Sequence, residues 1–113
     1  EYSKKTFEKI LLNKDSIVFV AEIEKKIGGF YKISIDKKGK VLFLDIIVIR
    51  KEYRGKGIGK KLFEEIENYA KKHKMRAIYL LVKDWNKSMN NLVKKRKYKI
   101  ANIFYQWKKI LIR

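Results

Sequence analysis

The sequence contains no cysteine and no proline. Without cysteine there is no disulfide, no thiol nucleophile and no Cys-ligated metal, and no metal is expected. Long apolar runs are also missing. The longest, Val41 to Ile49, is interrupted by Asp45 and is far below the roughly 18 residues of a membrane span. No signal peptide is legible at the start, so a cytoplasmic location away from membranes is the expectation. The first residue is Glu1 rather than Met, which is compatible with trimming upstream. Acidic residues are scarce: 12 Asp and Glu stand against 30 Lys and Arg, a net charge of +18. One reading of that charge is an anionic partner, whether nucleic acid, an acidic protein or a phosphorylated cofactor. The other is a lysine-rich proteome. Lys outnumbers Arg 25 to 5 and is scattered over every segment. Proteins that read bases favour Arg, so the second reading is preferred.

What is present suffices for one globular domain: 113 residues, 46% of them hydrophobic. Ser3 to Asn13 is amphipathic, with Phe7, Ile10 and Leu11 on one helical face. Ile17 to Glu24 is β-branched and reads as a strand. Lys25 to Gly29 reads as a turn, with Gly28 and Gly29 free to take positive φ. Phe30 to Ile35 follows, with Tyr31, Ile33 and Ile35 on one side. Asp36 to Gly39 is a second hairpin turn. Val41 to Ile49 is apolar on both faces and reads as a central strand. Gly57 to Lys74 is a long helix whose buried stripe is Leu62, Ile66, Tyr69, Ala70 and His73. Ala77 to Val82 is another buried strand. Asn86 to Lys97 is a second helix with Met89, Leu92, Val93 and Arg96 on one face. Ile100 to Ile112 is a terminal extended region. The order α-β-β-β-α-β-α-β predicts a mixed sheet with an antiparallel part and a parallel pair.

The segment from Ile49 to Lys60 carries the chemistry. It joins the apolar strand to the long helix, and glycines at 55, 57 and 59 let a ligand approach the backbone. The unpaired first-turn N–H groups and the helix dipole make an anion site, to which Arg54 and Lys60 add charge. A phosphate or pyrophosphate is the expected guest. A Walker A loop is excluded, because Gly55 and Gly59 are too close together and Lys61 stands where a hydroxyl is required. A dinucleotide fingerprint is excluded by Lys60, where its third glycine belongs.

Arg54-Gly55-Lys56-Gly57-Ile58-Gly59 resembles the Arg/Gln-x-x-Gly-x-Gly/Ala signature of the GNAT acyltransferases without a mismatch. Glu52-Tyr53 precedes it as in many members, although Lys51 stands at the usual Pro, and Leu62 continues the helix as expected. Leu80-x-Val82-x-x-x-Asn86-x-x-Met89 is similar to the family's strand-to-helix pattern, with Met89 where Ala is usual. Tyr98 falls where an aromatic ends that helix. The resemblance covers roughly Ile17 to Leu111. It implies a GNAT-like α/β fold: a mixed sheet with an antiparallel N-terminal part, a splayed parallel strand pair and flanking helices. It further implies one domain over 1–113, with the family's N-terminal strand and helix missing or trimmed.

The resemblance also implies a reaction, acetyl transfer from acetyl-coenzyme A to a primary amine. Backbone groups of Ile47, Val48 and Ile49 would pair with the pantetheine arm. Arg54, Gly55, Lys56, Gly57, Ile58, Gly59 and Lys60 would hold the pyrophosphate. The two parallel strands would splay to admit the thioester, and Asn86 would hydrogen-bond the cofactor near that gap. Positioning and desolvation would supply most of the catalysis. Asp45 is the candidate base, as the lone charge in an apolar strand, and burial would raise its pKa. The alternative is a structural Asp paired with Lys, Arg or Tyr. Phe43 shares its face and stands where some members carry an acid. The family often places a Tyr acid seven residues after the Asn. Here that residue is Val93, which leaves Ser88, another Tyr, water or no acid at all. Tyr98 reads as core, and His73 as a capping or surface residue.

Two rivals remain. A basic nucleic-acid module would use Arg54 to Gly57 on phosphates and Tyr98, Tyr105 and Trp107 for stacking. A non-catalytic coenzyme A-binding regulator would account for Val93. A homodimer is also expected, because Phe104, Tyr105, Trp107, Ile110 and Ile112 would leave an apolar sheet edge uncovered.

Overall fold

The structure is a computed structural model that describes the backbone of residues 2–8 and residues 15–112 in full. The chain divides into two compact units, the first ending at Leu81 and the second beginning at Val82. The first unit holds β1 (Tyr2–Glu8), β2 (Ser16–Ile23), β3 (Lys26–Asp36), β4 (Val41–Ile49), a single 3-10 turn over Lys51–Tyr53, α1 (Ile58–Lys72) and β5 (Ala77–Leu80). The strands form one sheet in the order β1-β2-β3-β4-β5. The first three pairings are antiparallel and the last, between β4 and β5, is parallel. The expected mixed sheet is therefore present, with β4 inside it.

The core forms on one face of this sheet. Phe19, Tyr31, Ile33, Leu42 and Leu44 are buried there, opposite Leu62, Phe63 and Ile66 of α1. Phe19 stacks on Tyr31, and Tyr31 donates a hydrogen bond from its hydroxyl to Glu65 at 3.2 Å, which ties sheet to helix. The expected helix stripe is corrected in two places. His73 is exposed at the helix C-terminus, its ring 4.1 Å from that of Tyr69. Phe63 and Ile58 are buried instead, because the apolar arc of α1 is wider than one stripe. Partial burial holds the Tyr69 hydroxyl above its ordinary pKa, so it stays protonated at neutral pH.

Three local expectations are corrected. Residues 2–8 form a strand and not a helix. Seven residue pairs with β2 outweigh a helical pattern three turns long, and residues 9–14 lie outside the described residues. The β2–β3 turn is not made by Gly28 and Gly29. Ile23 pairs with Lys26, so the loop is Glu24-Lys25 alone, both at positive φ. The glycines lie within β3, where the backbone is crowded. A Cβ on Gly28 would collide with the Ile23 side chain, and one on Gly29 with the Val48 carbonyl oxygen of β4. Finally, β5 is an edge strand of four residues, only partly buried.

In the second unit, α2 (Lys87–Lys95) starts at Asn86, whose Oδ1 accepts a 3.1 Å hydrogen bond from the Met89 N–H. Val93 is buried, while Met89, Leu92 and Arg96 are half-buried. The terminal strand expected at Ile100 to Ile112 is not found: residues 100–112 carry neither helix nor strand and add no edge to the sheet, and Phe104, Tyr105, Trp107, Ile110 and Ile112 are all exposed.

Gly29→Ala should lower stability by about 1–3 kcal/mol, because the new methyl meets a neighbouring backbone that cannot swing aside. Gly39→Ala should cost less, since its Cβ would meet only the movable Asp36 carboxylate at 2.8 Å. Urea denaturation of the two variants checks the order.

Candidate active site

The turn between β4 and α1 has the backbone shape of an anion cradle. Gly55 and Gly57 take left-handed backbone conformations, with φ of 75° and 80°. A side chain there would strain the backbone, yet a Cβ would meet nothing within 4 Å at either position. The glycines therefore serve the shape of the turn and its open approach, not internal packing. Gly57 is the helix N-cap and offers no side-chain cap to the N–H groups that follow. Ile58 turns inward and is buried, which anchors the first turn of α1 to the core. Lys56, Lys60 and Lys61 are exposed around it, and no acidic residue lies in the first helical turn. This concentration of N–H donors, dipole and ammonium groups favours a phosphate guest.

Arg54 does more than add charge. Its Nε donates to the Ile49 carbonyl at 2.9 Å, clamping the turn to the end of β4. Nothing in the local sequence announces that clamp. Tyr53, before it, is buried, and the Lys56 ammonium lies 5.9 Å from the Tyr53 ring centroid.

The strand that feeds the turn has an open edge. Parallel pairing with β5 runs from Val41 and Ala77 to Leu44 and Leu80 and then stops. From Asp45 to Ile49, β4 has strand partners on the β3 side only, among the described residues. Alternation then sorts the backbone groups. The Arg50 N–H points to Gly28 of β3, so Val48 also faces β3. Ile47 and Ile49 present theirs to the open edge, where the Ile49 carbonyl is already held by Arg54. The parallel pairing thus ends with β5, and Val48 turns its backbone away from the open edge.

Asp45 sits at a β-bulge. Lys32 pairs with Ile46 and Ile33 with Leu44, which leaves Asp45 without a partner in the register. Its side chain is 32% exposed, so the burial expected of it is not found: α1 covers the other face of the sheet. Its Oδ2 accepts a short hydrogen bond from the Ser34 hydroxyl and lies 4.0 Å from the Lys32 ammonium. The Ser34 hydroxyl in turn lies 3.4 Å from that of Ser16, which is buried. These partners are separated from Asp45 in sequence and come together only through strand register.

Asn86 belongs to the second unit. Its side-chain oxygen is committed to capping α2. Val93 is a packing residue, and Ser88 is exposed.

With this geometry in hand, the likeness to known proteins is informative. The sequence model of the acetyltransferase (GNAT) family matches residues 1–98, and the chain belongs to that family. The thialysine N-epsilon-acetyltransferase of Bos taurus is 36% identical over 67 residues, covering 58% of this chain and 39% of that protein. The Sus scrofa protein of the same name is 34% identical over 67 residues, with 59% and 39% covered. The chain thus spans about two-fifths of the length of these curated relatives. Among solved structures, a tetramutant of the BH1408 protein from Bacillus halodurans has a TM-score of 0.76 at 24% identity, over 88% of this chain and 69% of that one. AAC(6')-Iy, in complex with the bisubstrate analogue CoA-S-monomethyl-acetylneamine, has a TM-score of 0.72 at 18% identity, over 89% and 74%. At those identities the likeness establishes the shared fold.

Proposed function

We propose that this GNAT family member transfers an acetyl group from acetyl-coenzyme A to a primary amine by direct attack. One observation carries the reading: the open edge of β4 runs straight into the glycine cradle at the start of α1. A ligand with a pyrophosphate at one end and an amide-bearing arm at the other matches that sequence of groups. The pyrophosphate would meet the N–H groups of Ile58, Gly59 and Lys60, with Gly55 and Gly57 shaping the approach and Lys56 and Arg54 adding charge. The arm would pair with Ile47 and with the Ile49 N–H. Family membership favours transfer over the nucleic-acid rival.

In the reaction a neutral amine nitrogen attacks the thioester carbon. The C–N bond forms and the C–S bond breaks, with the electron pair leaving on sulfur. The ammonium proton must go to a base before attack, and the thiolate must gain a proton. We assign the first task to Asp45, directly or through water. Its partial exposure gives water access to the carboxylate, and the Ser34 hydroxyl fixes its orientation. Binding reactants side by side supplies most of the acceleration. The attacking nitrogen sheds its second proton as the C–S bond breaks, and water relays it to the thiolate, since Val93 offers no acid.

Gly57→Glu should weaken coenzyme A binding more than about hundredfold, by placing a carboxylate against the pyrophosphate. Calorimetry decides this. An unchanged Kd in a folded variant would remove the cradle from the site. Asp45→Asn should retain coenzyme A affinity and lower turnover by about 10²-fold. If that variant unfolds instead, Asp45 is a structural residue held by Ser34 and Lys32.

We also infer self-association through residues 103–112, whose exposed aromatic and aliphatic side chains support it. The +18 charge opposes it at low salt. Light scattering at moderate salt should give the mass of two chains, and a single-chain mass at tens of micromolar contradicts it.

A further inference from the structure

The sheet face turned away from α1 carries an exposed apolar surface. Strand register sets Ser16, Ser34, Phe43 and Tyr79 in one row across β2, β3, β4 and β5. Phe43 and Tyr79 are 42% and 44% exposed, and their rings stack with centroids 5.8 Å apart. Ile46 and Val48 continue the same face along β4 and are likewise exposed. The stacked pair stands one register step before the parallel pairing stops at Leu44 and Leu80. The next residue is Asp45, the lone carboxylate of β4, with Lys32 at 4.0 Å.

An aromatic pair, an aliphatic strip and one carboxylate therefore meet where β4 and β5 part. We propose that this surface receives the acceptor, and that the acceptor is a primary amine with one positive charge on an aromatic or alkyl stem. The inference rests on the acetyl-transfer reading above and adds the chemical class of the amine. The stem lies over Phe43 and Tyr79, and Ile46 and Val48 exclude water beside it. Rings prefer such offset or edge contacts with other rings, and alkyl chains gain from the area they cover. The ammonium end is drawn to Asp45 and yields its proton there. A polyhydroxylated amine finds few partners on this face, because the Ser34 hydroxyl is already engaged with Asp45 and Ser16. A polycation meets Lys32 and a molecule of net charge +18.

Thiol release from acetyl-coenzyme A with 2-phenylethylamine, hexylamine, ethanolamine and spermidine tests the class. The apolar-stem amines should exceed ethanolamine in kcat/KM by roughly tenfold or more. The double substitution Phe43→Ser, Tyr79→Ser should raise KM for 2-phenylethylamine about tenfold and leave coenzyme A affinity unchanged. Phe43→Leu, which keeps apolar area, should recover most of that loss. Preference for ethanolamine or spermidine overturns the proposal. So does an unchanged KM in the double variant, or a double variant that changes only the oligomeric mass. If no amine releases thiol, the transfer reading fails on its own. Calorimetric binding of 2-phenylethylamine, present in the parent and lost in the double variant, then still supports the surface, and no binding to the parent overturns it.

Discussion

Parallel pairing between β4 and β5 lasts only from Val41 to Leu44 on one strand and from Ala77 to Leu80 on the other. The rest of the candidate site depends on that early stop. A backbone group in a sheet interior is normally consumed by its neighbour. Because β5 ends, Ile47 and the Ile49 N–H have no backbone partner among the described residues, in a strand that otherwise lies inside the sheet. The bulge at Asp45 falls at the same step and turns a carboxylate onto the face away from α1. Arg54 then locks the strand end to the turn, so the open edge and the glycine cradle form one continuous lining.

Electrostatics divides the labour in this region. The cradle attracts anions with backbone dipoles and lysines. The bulge, on the opposite face from α1, offers the carboxylate. Lys32 sits beside Asp45, its ammonium 4.0 Å from the carboxylate. The +18 charge attracts anions from a distance at low ionic strength, and salt weakens that attraction. Burial on the α1 face keeps the scaffold rigid: Ile33, Leu42, Leu62, Phe63 and Ile66 are fully enclosed.

The cradle was legible in the sequence because its chemistry is local. Three glycines and flanking basic residues, between an apolar strand and a helix, describe it without long-range information. The central strand, both helices and the second hairpin were legible for the same reason. The surroundings of Asp45 were not, since Ser16, Ser34 and Lys32 reach it only through pairings across three strands. Gly28 and Gly29 misled because glycine answers two needs, positive φ and close approach, and here the second applies. The first strand was hidden by a short amphipathic pattern that pairing with β2 overrides. The Phe43–Tyr79 stack could not be found from spacing, because the parallel register that creates it is not written in either strand alone.

A single ligand spanning the open edge of β4 and the turn before α1 would touch backbone amides in both. Backbone amide chemical shifts of the labelled protein, recorded while coenzyme A is added, test it most directly. The amides of Ile47, Ile49, Gly57, Ile58, Gly59 and Lys60 should move together along one titration curve. Shifts confined to residues 94–112, with those amides unmoved, would contradict it.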